Sequence, residues 1–188
     1  GILVYNEEDA EVKRVSKEAT NPIRKLPYHT PKYTVSNGVT LLETPEGDMP
    51  IEVFGAHNLN NLAGAKWICQ NMGVDEAEFY EAIASFKGAS KRLEKIAESK
   101  TKVAYKDFAH SPSKVAATTN AVKEQYPNRT LIACLELHTY SSLNAAFLKE
   151  YEGALEYADK AVVFYSPDTV KIKQLDEVSY DQIATAFN

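Results

Sequence analysis

The sequence lacks the features that define several large functional classes. No apolar run approaches the roughly 20 residues of a membrane-spanning helix. Neither a Gly-x-Gly-x-x-Gly fingerprint nor a phosphate-loop Gly-Lys-Ser/Thr occurs, which disfavours a nucleotide-dependent oxidoreductase and excludes a self-contained P-loop enzyme. With two cysteines and no His-x-x-x-His pair, the common zinc motifs are excluded, so no metal ligands are assigned within this chain.

Charge and cysteine content narrow the class further. The net charge is −5 and the basic residues are scattered, so the sequence has no electrostatic footprint for nucleic acid. A composition that is 44% hydrophobic and 25% charged is typical of a globular protein with a substantial core. Cys69 and Cys134 lie in apolar surroundings, which predicts buried free thiols and fits a reducing, cytoplasmic location.

The first half of the chain reads as short strands followed by two helices. Residues 2–5 form an apolar strand with nothing before it to pair with, so we expect the chain to be an internal piece of a longer protein and this strand to seek a partner in a hairpin or a neighbouring chain. A polar segment with helical character and a proline-containing loop follow. Asn37-Gly38 predicts a tight hairpin, and a turn at 45–48 leads to a strand at 51–54. Helices are predicted over residues 59–73 and 75–88.

The second half alternates strands and helices. Strands are predicted at 102–108, 131–135 and 161–165, with helices at 112–125 and 143–158. Continuously apolar strands in this order predict an α/β fold whose Rossmann-like parallel sheet carries helices on both faces. The charged segment within residues 88–101 marks the boundary between the two halves.

Polar residues cluster where the predicted parallel strands end. Asp107 and His110 follow the first strand, immediately before a helix that Ser111-Pro112 is well suited to start. His138 follows the second strand and Ser166 the third. Ligands bind beyond the carboxyl ends of parallel strands, so we expect both histidines to face one crevice.

A second cluster lies at the start of the first long helix. His57, Asn58 and Asn61 place an imidazole and two amides within five residues. An amide offers a donor and an acceptor together, which suits the edge of a purine. The alternative for Asn58 is a helix N-cap, and for the small residues 63–65 it is close packing.

Three stretches together resemble the Mur ligases, the ATP-dependent amide ligases of peptidoglycan assembly. They are the His-Asn-x-x-Asn run at residue 57, FKGASKR at 86–92 and DFAHSP at 107–112. The resemblance spans roughly residues 50–167. It implies that residues 1–90 are the C-terminal part of the central ATPase domain and residues 91–188 a truncated C-terminal Rossmann-like domain. The stretches FKGASKRLE, YKDFAHSPSK and LELHTYSSLN are most similar to the muropeptide-recycling branch of the family, with the L-alanine-adding branch as the alternative.

The resemblance also implies roles for individual residues. The expected ATP-binding residues are His57, Asn58, Asn61, Arg92, Asp107 and His110. The expected substrate-binding residues are His138, Tyr140 and Ser141, although His138 could equally only order its loop. The resemblance places no catalytic residue here, and it puts the phosphate loop and the Mg²⁺ ligands upstream of residue 1.

The activity implied for the longer protein is amide-bond formation through an acyl phosphate. Its expected partners are ATP, UDP-N-acetylmuramate and a diaminopimelate-containing peptide, L-Ala-γ-D-Glu-meso-diaminopimelate. This chain alone is expected to be inactive. A non-catalytic Rossmann-like binding module is the rival hypothesis.

Overall fold

The computed structural model describes residues 1–187. These form two compact units, of which the first comprises Gly1–Gly88 and the second begins at Ala89. Within the part of the chain that is described, no helix combines the length and apolar character needed to cross a membrane.

The first unit begins with a parallel strand pair. β1 (Ile2–Asn6) pairs in parallel with β2 (Arg24–Tyr28), and α1 (Ala10–Glu18) connects them. The expectation that the first strand must find its partner in a hairpin or another chain was therefore wrong. The loop predicted around Pro27 is wrong at Arg24–Tyr28, because proline is tolerated at the edge of a sheet and each strand of a two-stranded sheet is an edge.

An antiparallel sheet of three strands follows. β3 (Tyr33–Ser36), β4 (Val39–Thr44) and β5 (Gly47–Ile51) pair in sequence order. The Asn37-Gly38 hairpin is confirmed, since both residues have positive φ angles of 52° and 77°. The strand predicted at 51–54 was wrong, because the chain turns earlier, enters β5 at Gly47 and leaves it at Ile51.

Two helices complete the first unit, α2 (Ala56–Asn71) and α3 (Glu76–Ala84). α2 packs on two sides. Leu59 and Leu62 join the core with Leu42 and Phe79. On another side, a Cβ added to Gly64 would lie 2.9 Å from the Tyr28 ring, so the predicted close packing of the small residues is confirmed there.

The second unit contains two strand pairs. β6 (Glu94–Glu98) pairs antiparallel with β7 (Val103–Lys106), and β8 (Ile132–Glu136) pairs parallel with β9 (Lys160–Phe164). Its helices are α4 (Pro112–Gln125), α5 (Ala145–Leu148), α6 (Pro167–Ile172) and α7 (Tyr180–Ala186). The predicted α/β class with a parallel sheet is confirmed. Among the residues described, β7 is hydrogen-bonded to β6 rather than to β8. β6 was missed because its sequence is mostly charged.

The helix predicted over residues 143–158 is much shorter. α5 gives way to a 3-10 turn (Lys149–Tyr151), and Gly153 then adopts φ +72° within a series of turns. Leu143, Tyr151 and Leu155, which share one face of the predicted helix, are nevertheless buried in one core. Apolar spacing correctly identified these three side chains but not the backbone that presents them, and it missed the buried Leu148.

The prediction of two buried thiols was wrong for Cys134. Cys134 is exposed on β8, and Cys69 is partly buried. Alternate residues of β8 and β9 point to opposite faces, so Leu135 is buried while Ile132 and Phe164 are 60% and 51% exposed.

Candidate functional site

The carboxyl ends of β8 and β9 lie side by side. Glu136 is paired with Phe164, and His138 and Ser166 each follow two residues later along their chains. This agrees with the expectation that His138 and Ser166 share one edge of the sheet.

His110 and His138 come together at this edge. Their ring centroids are 5.9 Å apart, and the ring of Phe108 lies 5.2 Å from His110 and 6.2 Å from His138. Nδ1 of His110 is 2.8 Å from the Phe108 carbonyl oxygen, and Nδ1 of His138 is 3.2 Å from that of Glu136. A ring that donates from Nδ1 presents Nε2 as an acceptor. The predicted proximity of the two histidines is confirmed.

The His110 backbone is anchored to the core below it. The hydroxyl of buried Tyr151 donates a hydrogen bond to the His110 carbonyl oxygen. A tyrosine hydroxyl carries its proton at neutral pH, and burial raises the pKa of Tyr151 further. The chain therefore enters α4 from a fixed position.

Asp107 makes several contacts within its own unit. Oδ1 accepts hydrogen bonds from the Ala109 amide at 2.6 Å and from the Thr118 hydroxyl at 3.3 Å. Oδ2 accepts one from the Leu93 amide at 2.7 Å. Asp107 thus joins the end of β7 to α4 and to the residue that precedes β6.

Arg92 lies in a turn with unusual backbone angles. Its neighbours Lys91 and Leu93 have φ angles of +58° and +45°, although neither is glycine. Glu94 Oε2 accepts a hydrogen bond from the Lys91 amide at 2.7 Å and one from the Ser90 hydroxyl at 3.2 Å. The Lys91 amide is the main cause that holds the pKa of Glu94 below its usual value.

The loop after β8 is closed by two reciprocal hydrogen bonds. The Thr139 amide donates to Ser142 Oγ at 2.9 Å, and the Ser142 amide donates back to Thr139 Oγ1 at 3.0 Å. Tyr140 and Ser141 between them are exposed. The ammonium of Lys173 lies 3.9 Å from the centroid of the Tyr140 ring, a contact that sequence reasoning missed.

His57, Asn58 and Asn61 lie in the first two turns of α2. The N-cap interpretation of Asn58 was wrong, because Gly55 occupies the N-cap with φ +87°. Asn58 lies inside the helix and its amide donates to the Phe54 carbonyl oxygen at 2.9 Å. Asn61 is exposed and His57 half-buried.

A polar junction next to these residues was also missed. Nδ2 of Asn60 lies 2.9 Å from Glu8 Oε2, 3.1 Å from Thr30 Oγ1 and 3.5 Å from Asn6 Oδ1. The Thr30 hydroxyl donates to Glu8 at 2.7 Å and is the main cause that lowers the pKa of Glu8. Asn6 and Glu8 stand at or just after the end of β1, the same position that identified Asp107, so the strand-end argument could have found them.

The candidate residues therefore form two groups, one in each unit. His57, Asn58 and Asn61 belong to the first unit, and the other six candidates belong to the second. Asp107 also lines a mostly apolar cleft of about 340 Å³ formed by residues of β7, α4 and β8. Within residues 1–187, no group of three or more His, Cys, Asp and Glu side chains is arranged to hold a metal ion.

Comparison with known proteins gives relatives that share about 30% of their residues with part of this chain. No protein-family model matches the chain. It is 31% identical over 115 residues to UDP-N-acetylmuramate–L-alanine ligase from Lactococcus lactis, a match covering 60% of this chain and 25% of that protein. A ligase of the same name from Caldicellulosiruptor bescii is 28% identical over 175 residues, covering 87% of this chain and 38% of that protein.

Solved structures of Mur ligases share the fold. The Thermotoga maritima UDP-N-acetylmuramate–alanine ligase superposes with a TM-score of 0.62 at 20% identity, covering 82% of this chain and 34% of that one. The Psychrobacter arcticus murein peptide ligase superposes with a TM-score of 0.57 at 16% identity, and the match covers 99% of this chain and 40% of that one. A folylpolyglutamate synthase from Mycobacterium tuberculosis, complexed with ADP, superposes with a TM-score of 0.65 at 14% identity, and the match covers 98% of this chain and 42% of that one. The chain thus spans less than half the length of the Mur ligases it matches.

Proposed function

We propose that this chain is part of an ATP-dependent Mur ligase of peptidoglycan synthesis. Residues 1–90 would belong to its central ATPase domain and residues 91–188 to its C-terminal domain. The supporting observation is that the ring centroids of His110 and His138 lie 5.9 Å apart. Both residues belong to stretches that resemble the Mur ligases. The sequence relatives support the same assignment.

The reaction in the longer protein would proceed in two steps. The carboxylate of UDP-N-acetylmuramate takes the terminal phosphoryl group of ATP and becomes an acyl phosphate, releasing ADP. The amine of the second substrate attacks the acyl carbon, loses a proton and expels phosphate, which leaves an amide. Mg²⁺, held upstream of this chain, would neutralise charge on the transferring phosphoryl group.

The residues present fit a nucleotide-positioning role. Exposed Asn61 can pair with the adenine edge through both its oxygen and its NH₂ group, whereas Asn58 has committed a donor to Phe54 and would offer its oxygen. Asp107 Oδ2 accepts one hydrogen bond, so a lone pair remains for a ribose hydroxyl. Exposed Arg92 is the proposed contact to the nucleotide phosphates, and His57 and His110 complete the proposed ATP-binding set.

His138, Tyr140 and Ser141 are the proposed amine-substrate residues. L-Alanine is the first candidate substrate, because the sequence relatives bear that activity in their names. The tripeptide L-Ala-γ-D-Glu-meso-diaminopimelate is the second, favoured by the sequence motifs at residues 86–94, 105–114 and 135–144.

A phosphate-release assay on the longer protein tests the reaction. ATP, Mg²⁺ and UDP-N-acetylmuramate are supplied with L-alanine or with the tripeptide, and product formation with one amine identifies the branch. If phosphate is released neither with L-alanine nor with the tripeptide, the result would contradict the ligase proposal and favour the non-catalytic binding module.

The adenine assignment is tested on this chain by NMR titration with ATP. Asn61→Ala should weaken binding by about tenfold, since losing a polar pair costs about 1–3 kcal/mol, and should leave the unfolding free energy unchanged. Asn71→Ala removes another amide from α2 and is the matched control. Equal ATP affinity in all three proteins would remove Asn61 from the site.

A further inference from the structure

The turn of residues 89–93 is stabilised by two carboxylates that lie outside it. Glu94 accepts the Lys91 amide and the Ser90 hydroxyl, and Asp107 accepts the Leu93 amide. Arg92 lies between these two anchored residues. Its own amide donates to the Ala89 carbonyl oxygen at 3.1 Å, which closes the turn.

The antiparallel ladder explains why Asp107 reaches this turn. Glu94 pairs with Lys106, so Leu93 and Asp107 occupy the next positions beyond the last pair. The Asp107 carboxylate takes the Leu93 amide at 2.7 Å where a further ladder bond would lie. Leu93 is only 7% exposed, and a buried backbone amide that loses its acceptor costs free energy, so we expect loss of this carboxylate oxygen to destabilise the turn.

The backbone of the turn needs such support. Lys91 and Leu93 both have positive φ angles, which cost free energy in residues that carry a Cβ. Strained conformations of this kind persist where surrounding contacts enforce them, and they are concentrated at ligand-binding segments. The side chain of Lys91 is exposed, so core packing does not account for the positive φ angle at this position, whereas Leu93 is buried.

We propose that Asp107 is a positioning residue for Arg92. By accepting the Leu93 amide, Asp107 keeps the strained turn in the conformation that presents the Arg92 guanidinium to the phosphates of the nucleotide. This inference rests on the proposed function, because it takes the phosphate-binding role of Arg92 from there. It adds a role for Asp107 that is distinct from holding the ribose.

The two roles of Asp107 differ in their dependence on phosphate. A residue that holds only ribose contributes equally to adenosine and to ATP. A residue that positions Arg92 contributes to ATP and not to adenosine. The quantity to measure is therefore the ratio of the adenosine and ATP dissociation constants, obtained by NMR titration of the 188-residue chain.

Asp107→Asn is the first variant, because it keeps the side-chain shape and removes one acceptor. We expect the ATP preference over adenosine to fall by about tenfold, as for Arg92→Ala, and the double variant to be no worse than Arg92→Ala alone. Glu94→Gln is the matched control, because it also removes a charge from this turn. Both hydrogen bonds to Glu94 go to Oε2, so the one oxygen of glutamine can still accept them, whereas Asp107 uses both of its oxygens. The proposal would be overturned if Asp107→Asn weakened adenosine and ATP binding equally. It would also be overturned if the losses of ATP preference in the two single variants added up in the double variant.

Lys91 provides a test that leaves Asp107 intact and the core untouched. Lys91→Val disfavours a positive φ angle, and Lys91→Gly favours it. Lys91→Gln is the control, because it removes the lysine charge as the other two variants do. We expect the valine variant alone to lose the ATP preference and its Leu93 amide to lose protection from exchange. Equal preference in all three would overturn the proposal, whereas absence of nucleotide binding by the unmodified chain would instead contradict the proposed function.

Discussion

The ring of Tyr28 occupies the space that a side chain at position 64 would need. A Cβ on Gly64 would lie 2.9 Å from Tyr28 Cζ, 3.1 Å from Cε1 and 3.2 Å from the hydroxyl oxygen. The helix that carries His57, Asn58 and Asn61 therefore approaches β2 as closely as it does only because residue 64 is glycine.

Gly64→Ala should lower the unfolding free energy by up to about 2 kcal/mol. Alanine gains up to about 1 kcal/mol of helix propensity, but overpacking against Tyr28 costs roughly 1–3 kcal/mol. Urea denaturation measures the difference. In a Tyr28→Ala background the clash is gone, so the same substitution should become stabilising; a loss of stability in both backgrounds would contradict the contact.

Asn60→Ala should also destabilise the first unit, by about 1–2 kcal/mol, because the amide serves Glu8 and Thr30 together. Asn71→Ala, which removes an exposed amide bonded to the Trp67 carbonyl oxygen, should change stability by less than about 0.5 kcal/mol. Equal effects of the two substitutions, measured by urea denaturation, would show that the junction contributes no more than an ordinary surface contact.

Asp159 should make the second unit sensitive to acid. Its pKa is held below its ordinary value of 3.8, first by the Lys123 hydrogen bond and then by the Leu131 amide. A carboxyl whose pKa is lowered by folding stabilises the native state above its unfolded pKa, and this contribution is lost as the pH falls through the folded pKa.

The comparison is made by thermal unfolding between pH 7 and pH 2. Lys123→Met should reduce the destabilisation seen below about pH 4, and Asp159→Asn should reduce it further. Glu156→Gln, in the same segment, is the control. If the unmodified protein and the three variants lost stability identically below about pH 4, a contribution from Asp159 would be excluded.

The 188-residue chain should have no ligase activity and should bind ATP only weakly, with a dissociation constant of roughly 1 mM, or about 4 kcal/mol. Its sequence has no phosphate-loop lysine to hold the triphosphate. Calorimetry with ATP and Mg²⁺, together with the phosphate-release assay, checks both statements. Micromolar binding or substrate-dependent phosphate release would refute this expectation.

Sequence reasoning succeeded where the determining contacts are local. The Asn37-Gly38 turn, the start of α3 after the Asp75 capping box and the start of α4 at Pro112 each depend on residues within a few positions of one another. The meeting of His110 and His138 was also predicted, from the position of each residue just after a strand, although within residues 1–187 β7 pairs with β6 and not with the strand that leads to His138.

It failed where distant residues decide. The pairing of β1 with β2 places Tyr5 opposite Pro27, and Pro27 made β2 resemble a loop. The Asn60 junction joins residues up to 54 positions apart. The hydrogen bond from Leu93 to Asp107 depends on a strand whose charged sequence gave no strand signal.

The different exposure of the two thiols has a practical consequence. Cys134 is exposed, whereas Cys69 is partly buried against the core of the first unit. A limiting amount of maleimide should therefore modify Cys134 first and leave Cys69 for a second, denaturing step. Selective attachment of a fluorophore or spin label to β8 would then give a spectroscopic reporter in the same strand that leads to His138, without any engineered cysteine.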